Sequence, residues 1–357
     1  MTEMYLWESP DFPHFYYNLA VVEPLEASFI AAIRELDARL GRQHPGFEDV
    51  LTEEIVANSE IEGVLLDRES VHSSFVKNIT PTREKEQGAV ALTKIALKHY
   101  GEPLSHELLF TMHREILKGA TGFPASSIGA YVGDMKIVSG NRMDREPEVI
   151  HKGVSHALVQ DKMTEFIDWY NQCAGDHPLL NAIQGHIHFE NLHPFCDGNG
   201  RIGRNLMLMS LCRDLRRNTP LALSRAFNRN LGSYYRQFAS SLDLTQTIQE
   251  MTPLFLEAVA ETASILELTA FRTKVAGQRD VLNERQFKVL NRLIDYELKG
   301  GFEGGMNNAK YQKMTGIGDR TALRDLIELA RLGFMLKRGQ LKGTRYYLNV
   351  PHLVSRL

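Results

Sequence analysis

His193-Pro194-Phe195-Cys196-Asp197-Gly198-Asn199-Gly200-Arg201-Ile202-Gly203-Arg204 is the stretch on which the reading of this chain turns. Apolar residues recur at helical spacing before it (Leu180, Ile183, Ile187, Phe189) and again from Ile202 to Leu215, so it is a loop that opens a helix. The first turn of a helix leaves backbone N–H groups unpaired and carries partial positive charge, which favours an anion. Gly198 and Gly200 permit positive φ and a close approach of the backbone to a phosphate. Arg201 and Arg204 are three apart, share a helix face, and can clamp successive phosphates. Asp197 offers a hard oxygen to Mg²⁺. Asn199 can donate to a further phosphate oxygen, and His193 can accept the proton of an attacking hydroxyl. Base, metal ligand, anion nest and two guanidinium groups together make a set of parts for phosphoryl chemistry. Phe195 reads as a core anchor for the loop and Cys196 as a small buried residue.

Outward from this loop the chain reads as mainly helical. Apolar spacing predicts helices over 24–40, 47–57, 84–100, 105–118, 154–174, 178–192, 202–215, 228–242 and 246–268. Residues 129–154 depart from this. Gly129 and Gly133 lead into the β-like run Met135-Lys136-Ile137-Val138, which predicts a hairpin flap. Residues 1–22, rich in aromatics and proline (Trp7, Phe12, Phe15, Tyr16, Tyr17), read as an extended arm packed on a later core. Beyond Asp280 the pattern is helix 283–298, helix 308–315, helix 320–332, and strands 334–337 and 344–349, the layout of a winged helix-turn-helix.

Composition narrows the class. Of 357 residues, 43% are hydrophobic and 24% charged, as in soluble globular proteins and unlike disordered ones. No apolar run approaches the ~18 residues of a membrane helix, and the start MTEMYLWESPDFPHF lacks the pattern of a signal peptide. Three cysteines make no disulfide framework and fit a reducing compartment, so a cytoplasmic protein with no membrane partner is expected. The net charge of −3 conceals a split. Residues 281–357 hold 14 Lys/Arg against 7 Asp/Glu, whereas the rest hold 27 against 37. A domain boundary near 276–282 follows.

The loop resembles the signature of Fic-domain proteins at every defining position: H-P-F-C-D-G-N-G-R-I-G-R. The aromatic start, Val138-Ser139-Gly140, Asp168-Trp169-Tyr170-Asn171, Ser224-Arg225 and Tyr234-Tyr235 are similar to a bacterial subgroup that ends in a winged helix. This resemblance implies a mainly α Fic fold with a β-hairpin flap. Residues 1–103 would be an N-terminal helical region with an inhibitory helix, 104–275 the catalytic core, and 276–357 the winged helix. It implies an adenylyltransferase that moves AMP from ATP, with Mg²⁺, to a Ser, Thr or Tyr hydroxyl of a target protein or of itself. His193 would then be the base and Asp197 the Mg²⁺ ligand. Gly198, Asn199, Gly200 and Gly203 would serve nucleotide binding, Arg201 the β-phosphate and Arg204 the γ-phosphate. The flap residues Lys136, Ile137, Val138 and Ser139 would hold the target segment as an added strand. Where relatives often carry an Arg before the flap, this chain has Val132, and no role is carried over. Tyr234, Tyr235 and Asn230 correspond to positions near the nucleoside, with an aromatic core pair as the alternative.

Many Fic proteins carry an inhibitory helix of pattern Ser/Thr-x-x-x-Glu-Gly/Asn. Here Glu62-Gly63 supplies its acidic end, but Asn58 stands where Ser or Thr is usual. Glu62 is expected to pair with Arg204 and so displace the γ-phosphate. In the basic tail, Arg320, Arg324 and Arg331 lie on the candidate recognition helix, and Lys337, Arg338, Lys342 and Arg345 surround the wing. DNA and a protein both remain open as its partner, and so does a homodimer. The alternative function is a DNA-associated transcriptional regulator with a nucleotide-sensing Fic core. A third, a metal hydrolase built on His186, His188, Glu190 and His193, is disfavoured because the spacing is not the i, i+4 histidine pair of a metalloprotease helix.

Overall fold

Asn18 accepts a hydrogen bond from the Ala20 amide (3.1 Å) and so starts α1 (Leu19–Leu40) before the point its apolar spacing indicates. The computed structural model describes residues 5–41, 44, 46–138, 149–175, 177–217, 221–238 and 241–354. Helix α2 (Phe47–Ile61) ends at Gly63, whose φ of 72° turns the chain. The short α3 (Arg68–Val76) has little apolar periodicity. It is set by Asp67, which caps the Glu69 and Ser70 amides. Then come α4 (Glu84–His99), α5 (His106–Ile116, capped by Ser105), the hairpin β1 (Lys136–Val138) and β2 (Val149–Lys152), and α6 (Val159–Gln172). Next follow α7 (Pro178–Leu192), α8 (Asn199–Asp214), α9 (Leu223–Arg229), α10 (Leu231–Arg236) and α11 (Thr245–Ala276). The helix expected over 228–242 is two helices, broken at Asn230 (φ −124°, ψ 36°). The Asn230 amide donates to the Ala226 carbonyl (2.9 Å) and to Glu257 of α11 (2.8 Å).

The described residues fall into two compact units, Met1–Gln43 with Val50–Glu261, and His44–Asp49 with Thr262–Leu357. In the first, α7 and α8 pack side by side and are buried on nearly all faces. Both oxygens of buried Glu26 on α1 accept the Leu179 and Leu180 amides at 3.0 Å, capping the start of α7. Leu92 of α4, Met112 of α5 and Phe166 of α6 pack around the pair with Ile202 of α8, and Phe195 of the loop is fully buried among them. Burying such a side chain contributes on the order of 1.5–3 kcal/mol, which is what pins the loop.

In the second unit, Asn283 and Gln286 form a capping box at the start of α12 (Glu284–Leu298). Helices α13 (Asn308–Thr315) and α14 (Asp319–Arg331) follow, then the antiparallel pair β3 (Met335–Arg338) and β4 (Arg345–Leu348), and α15 (Pro351–Val354). Buried Asp325 of α14 joins the helices: it receives the Arg285 guanidinium (3.1 Å), the Tyr311 hydroxyl (3.2 Å) and the Asn283 amide (3.3 Å). No helix among the described residues is long and apolar enough to cross a membrane.

Helices α4 and α5 meet at Gly88, where a Cβ would overlap the Glu115 carbonyl oxygen. Gly88→Ala is therefore expected to lower the thermal unfolding midpoint, with a loss on the order of 1–3 kcal/mol. Gly101→Ala, where a Cβ meets nothing within 4 Å, should stay near wild type in the same melting experiment.

Candidate active site

Helix α7 stops at His193, whose backbone is left-handed (φ 44°, ψ 58°) while its amide still bonds the Phe189 carbonyl (3.0 Å). That conformation is strained for a residue with a side chain and usually falls to glycine. The strain is maintained by packing. The Val154 amide donates to the Leu192 carbonyl (3.0 Å), the Val132 amide to the Pro194 carbonyl (2.8 Å), and Gly153 presses on His193 so closely that a Cβ there would lie 2.9 Å from the His193 Cβ. Burial, with neighbouring His151 adding to it, lowers the His193 pKa to about 4. The imidazole is therefore neutral at pH 7 and able to take a proton. Its Nδ1 has no hydrogen-bond partner among the described residues and stands 3.8 Å from Glu190 Oε2. Burial pushes the Glu190 carboxyl up to about 8, so this group is protonated at neutral pH.

The turn into α8 is built around its own backbone. Gly198 takes φ 78°, and Asp197 Oδ1 accepts the Gly198 amide (2.6 Å). Asn199 is buried and used in both directions: its Oδ1 accepts the Phe195 amide (3.0 Å) and its Nδ2 donates to the Phe195 carbonyl (2.9 Å). The Asn199 side chain thus closes the loop. Gly203 faces α7, where a Cβ would meet Glu190 Oε1 at 2.7 Å and His186 Nδ1 at 3.0 Å, so its role is the close approach of the two helices. Asp197 keeps a half-exposed carboxylate at the helix start, with Oδ2 3.4 Å from Arg201. Arg201 is buried, and its Nε has no partner among the described residues.

Arg204 is 1% exposed and fully engaged. Its Nε donates to Asn58 Oδ1 (2.6 Å), Nη2 to the Asn58 carbonyl (3.1 Å) and to Glu62 Oε1 (2.7 Å), and Nη1 to the Tyr234 hydroxyl (3.1 Å). Burial opposes the charge, but Tyr234 and Glu62 outweigh it and hold the pKa up. Glu62, the first residue past α2, lies over Gly200, where a Cβ would overlap Glu62 Oε1. A carboxylate therefore occupies the anion-favouring start of α8. Asn58 stands where a Ser or Thr was expected, and its longer amide both holds Arg204 and donates to the Arg201 carbonyl (3.3 Å).

Of the other candidates, Tyr234 is fully buried against Phe227 (ring centroids 4.8 Å) and His186 (Nε2 to OH 2.7 Å), so it supports Arg204 from within the core. Tyr235 is 48% exposed and donates to the Ile61 carbonyl (3.3 Å) at the end of α2. Asn230 is turned to Ala226 and Glu257. Lys136, Ile137 and Val138 form β1; Ser139 lies outside the described residues. His186 and His188 face apart, the latter into Phe12, Phe15, Phe166 and Trp169. Sequence reasoning missed His151, Gly153 and the neutral state of Glu190. Only the glycine carried a signal, as a residue that admits a close neighbour.

A model of the Fic/DOC family matches residues 103–211, and a domain of unknown function (DUF4172) matches residues 5–80. Among solved structures, a Fic family protein from Desulfovibrio desulfuricans G20 is similar at 20% identity and a TM-score of 0.53, over 92% of this chain and 96% of that one. A Fic-domain-containing signaling protein from Bacteroides thetaiotaomicron VPI-5482 is similar at 16% identity and a TM-score of 0.50, over 68% of this chain and 98% of that one. At these identities the two likenesses speak for the fold. Proteins of the Fic/DOC family are generally transferases that use nucleotide substrates and commonly move a nucleoside monophosphate onto proteins. With the family match falling on the loop and the helices that carry it, residues 103–211 of this chain form a Fic domain.

Proposed function

We propose that this protein transfers AMP from ATP to a Ser, Thr or Tyr hydroxyl of a target protein or of itself, and that Glu62 restrains the reaction. The observation that carries the reading is the Glu62 carboxylate on Gly200 and Arg204, in the first turns of the helix that the His193 loop opens. In the step itself the acceptor oxygen forms a bond to the α-phosphorus, the α–β bridging P–O bond breaks, and pyrophosphate leaves. The hydroxyl proton passes to His193. The amides at the start of α8 and the unpartnered Arg201 Nε supply donors for phosphate oxygens. Asp197, a half-exposed hard carboxylate beside that anion site, fits Mg²⁺. When bound, the ion would neutralise charge on the phosphates. With Glu62 in place, Arg204 has each of its nitrogens occupied, so a γ-phosphate and Glu62 compete for one guanidinium.

For the second unit we infer a winged helix that takes a protein partner. Leu323 (42%) and Ile327 (51%) are exposed four residues apart on α14, and Arg331 there is paired with Glu328 (2.7 Å). An exposed aliphatic pair suits a protein surface better than phosphates do.

Glu62→Gly is expected to raise labelling of protein by radiolabelled ATP about 100-fold, because it frees the geometry of the triphosphate. Equal labelling by wild type and variant would remove the restraint from this account. In the Glu62→Gly background, His193→Ala should cut transfer by at least ~10²-fold while ATP still binds in equilibrium dialysis. Transfer that survives the substitution assigns the base elsewhere. The same reading fixes a pH dependence. The proton-accepting form of His193 exists above its pKa of about 4, so the rate limb due to this residue should fall only as pH drops toward that value. A limb centred near 6.5, read from initial rates of Glu62→Gly, would contradict it.

A further inference from the structure

The N-terminal arm does more than cover the core. Leu6 and Phe12 are buried, and Phe12 and Phe15 meet the ring of His188 on α7 edge-on at 5.1 and 5.6 Å. From that anchorage the arm reaches the hairpin. The Trp7 indole N–H donates to the Lys152 carbonyl on β2 (2.6 Å), and the Tyr5 ring meets His151 edge-on (5.7 Å). His151 is itself 6.3 Å from the His193 ring, and Gly153, next after Lys152, is the residue pressed on His193.

The register says what the Trp7 contact does. Gly153 donates to the Met135 carbonyl (2.8 Å), so positions 135 and 153 form a hydrogen-bonded pair. The next pair, Lys136 with Lys152, is therefore of the kind whose N–H and C=O groups point away from the partner strand. Trp7 satisfies the outward carbonyl of Lys152 and closes that edge. The outward backbone groups of Lys136 have no such cap among the described residues.

We propose that residues 5–15 brace the hairpin: they close the outer edge of β2, keep Gly153 seated on His193, and leave β1 as the edge that takes the acceptor segment as an added strand. Trp7 is a positioning residue. The last element rests on the proposed transferase reading; the brace does not.

Trp7→Phe keeps an aromatic ring, with some loss of volume, and removes the donor. In the full chain without nucleotide, hydrogen exchange should quicken about 3- to 10-fold at the amides of 135–138 and 149–153, the range one net hydrogen bond supports, and stay unchanged in α4 and α8. In the Glu62→Gly background, Trp7→Phe should lower kcat/KM for the protein acceptor about 5-fold while the Kd for ATP holds within about 2-fold. Unchanged hairpin exchange overturns the brace. So does acceleration spread through α4 and α8, which would make Trp7 an ordinary core residue. Faster hairpin exchange with an unaltered acceptor kcat/KM overturns β1 as the acceptor edge. If Glu62→Gly alone transfers nothing, the transferase reading fails and hairpin exchange alone decides the brace.

Discussion

Arg204 is a guanidinium shut away from water, and the site is organised by that fact. A buried charge must be paired and its donors satisfied, or its desolvation costs several kcal/mol. Tyr234 and Asn58 meet part of that demand from inside the protein. Glu62 meets the remainder from a position one-third exposed to solvent. The partner of the deepest charge in the site is thus the one member that solvent or an anionic ligand can reach. Gly200 makes this geometry possible, since any side chain there would occupy the place of the carboxylate.

Burial also sets the protonation of the groups behind the loop. His193 is driven toward neutrality, and Glu190, 3.8 Å away, toward its protonated form. An isolated histidine and glutamate at pH 7 would present a carboxylate beside a partly protonated imidazole. Removal from water reverses that for the acid and completes it for the base, leaving a proton acceptor beside an uncharged neighbour. The left-handed backbone of His193 belongs to the same design, because the hairpin base and the end of α7 hold it where an unconstrained chain would not stay.

The comparison of sequence with structure is clearest residue by residue. The loop was legible because its parts are contiguous: His193, Asp197, Gly198, Gly200, Arg201 and Arg204 lie within one turn and the helix it opens. The packing roles of Asn199 and Gly203 were not legible, because residue type cannot tell a side chain that bonds the loop's own backbone, or a glycine that admits a neighbouring helix, from one that serves only a ligand. Asn58 looked like a departure from a pattern, yet it serves as the clamp, since an amide offers both a donor and an acceptor where a hydroxyl has a shorter reach. Helix α3 went unread because a cap and not an apolar stripe specifies it, and the break at Asn230 because its partner Glu257 is distant in sequence.

What the sequence determined alone is what local chemistry dictates: helical periodicity, a hairpin flanked by glycines, and an anion-favouring turn carrying two arginines. These depend on neighbours within a few residues, so they survive without knowledge of the fold. The tertiary structure decided which charges meet and which groups lose water. The clamp of Asn58 on Arg204 and the reach of Trp7 to Lys152 join residues far apart in the chain, and the neutral His193 beside Glu190 depends on burial that the chain's neighbours alone do not supply. Their energies arise from burial and close packing, which exist only once the helices have assembled.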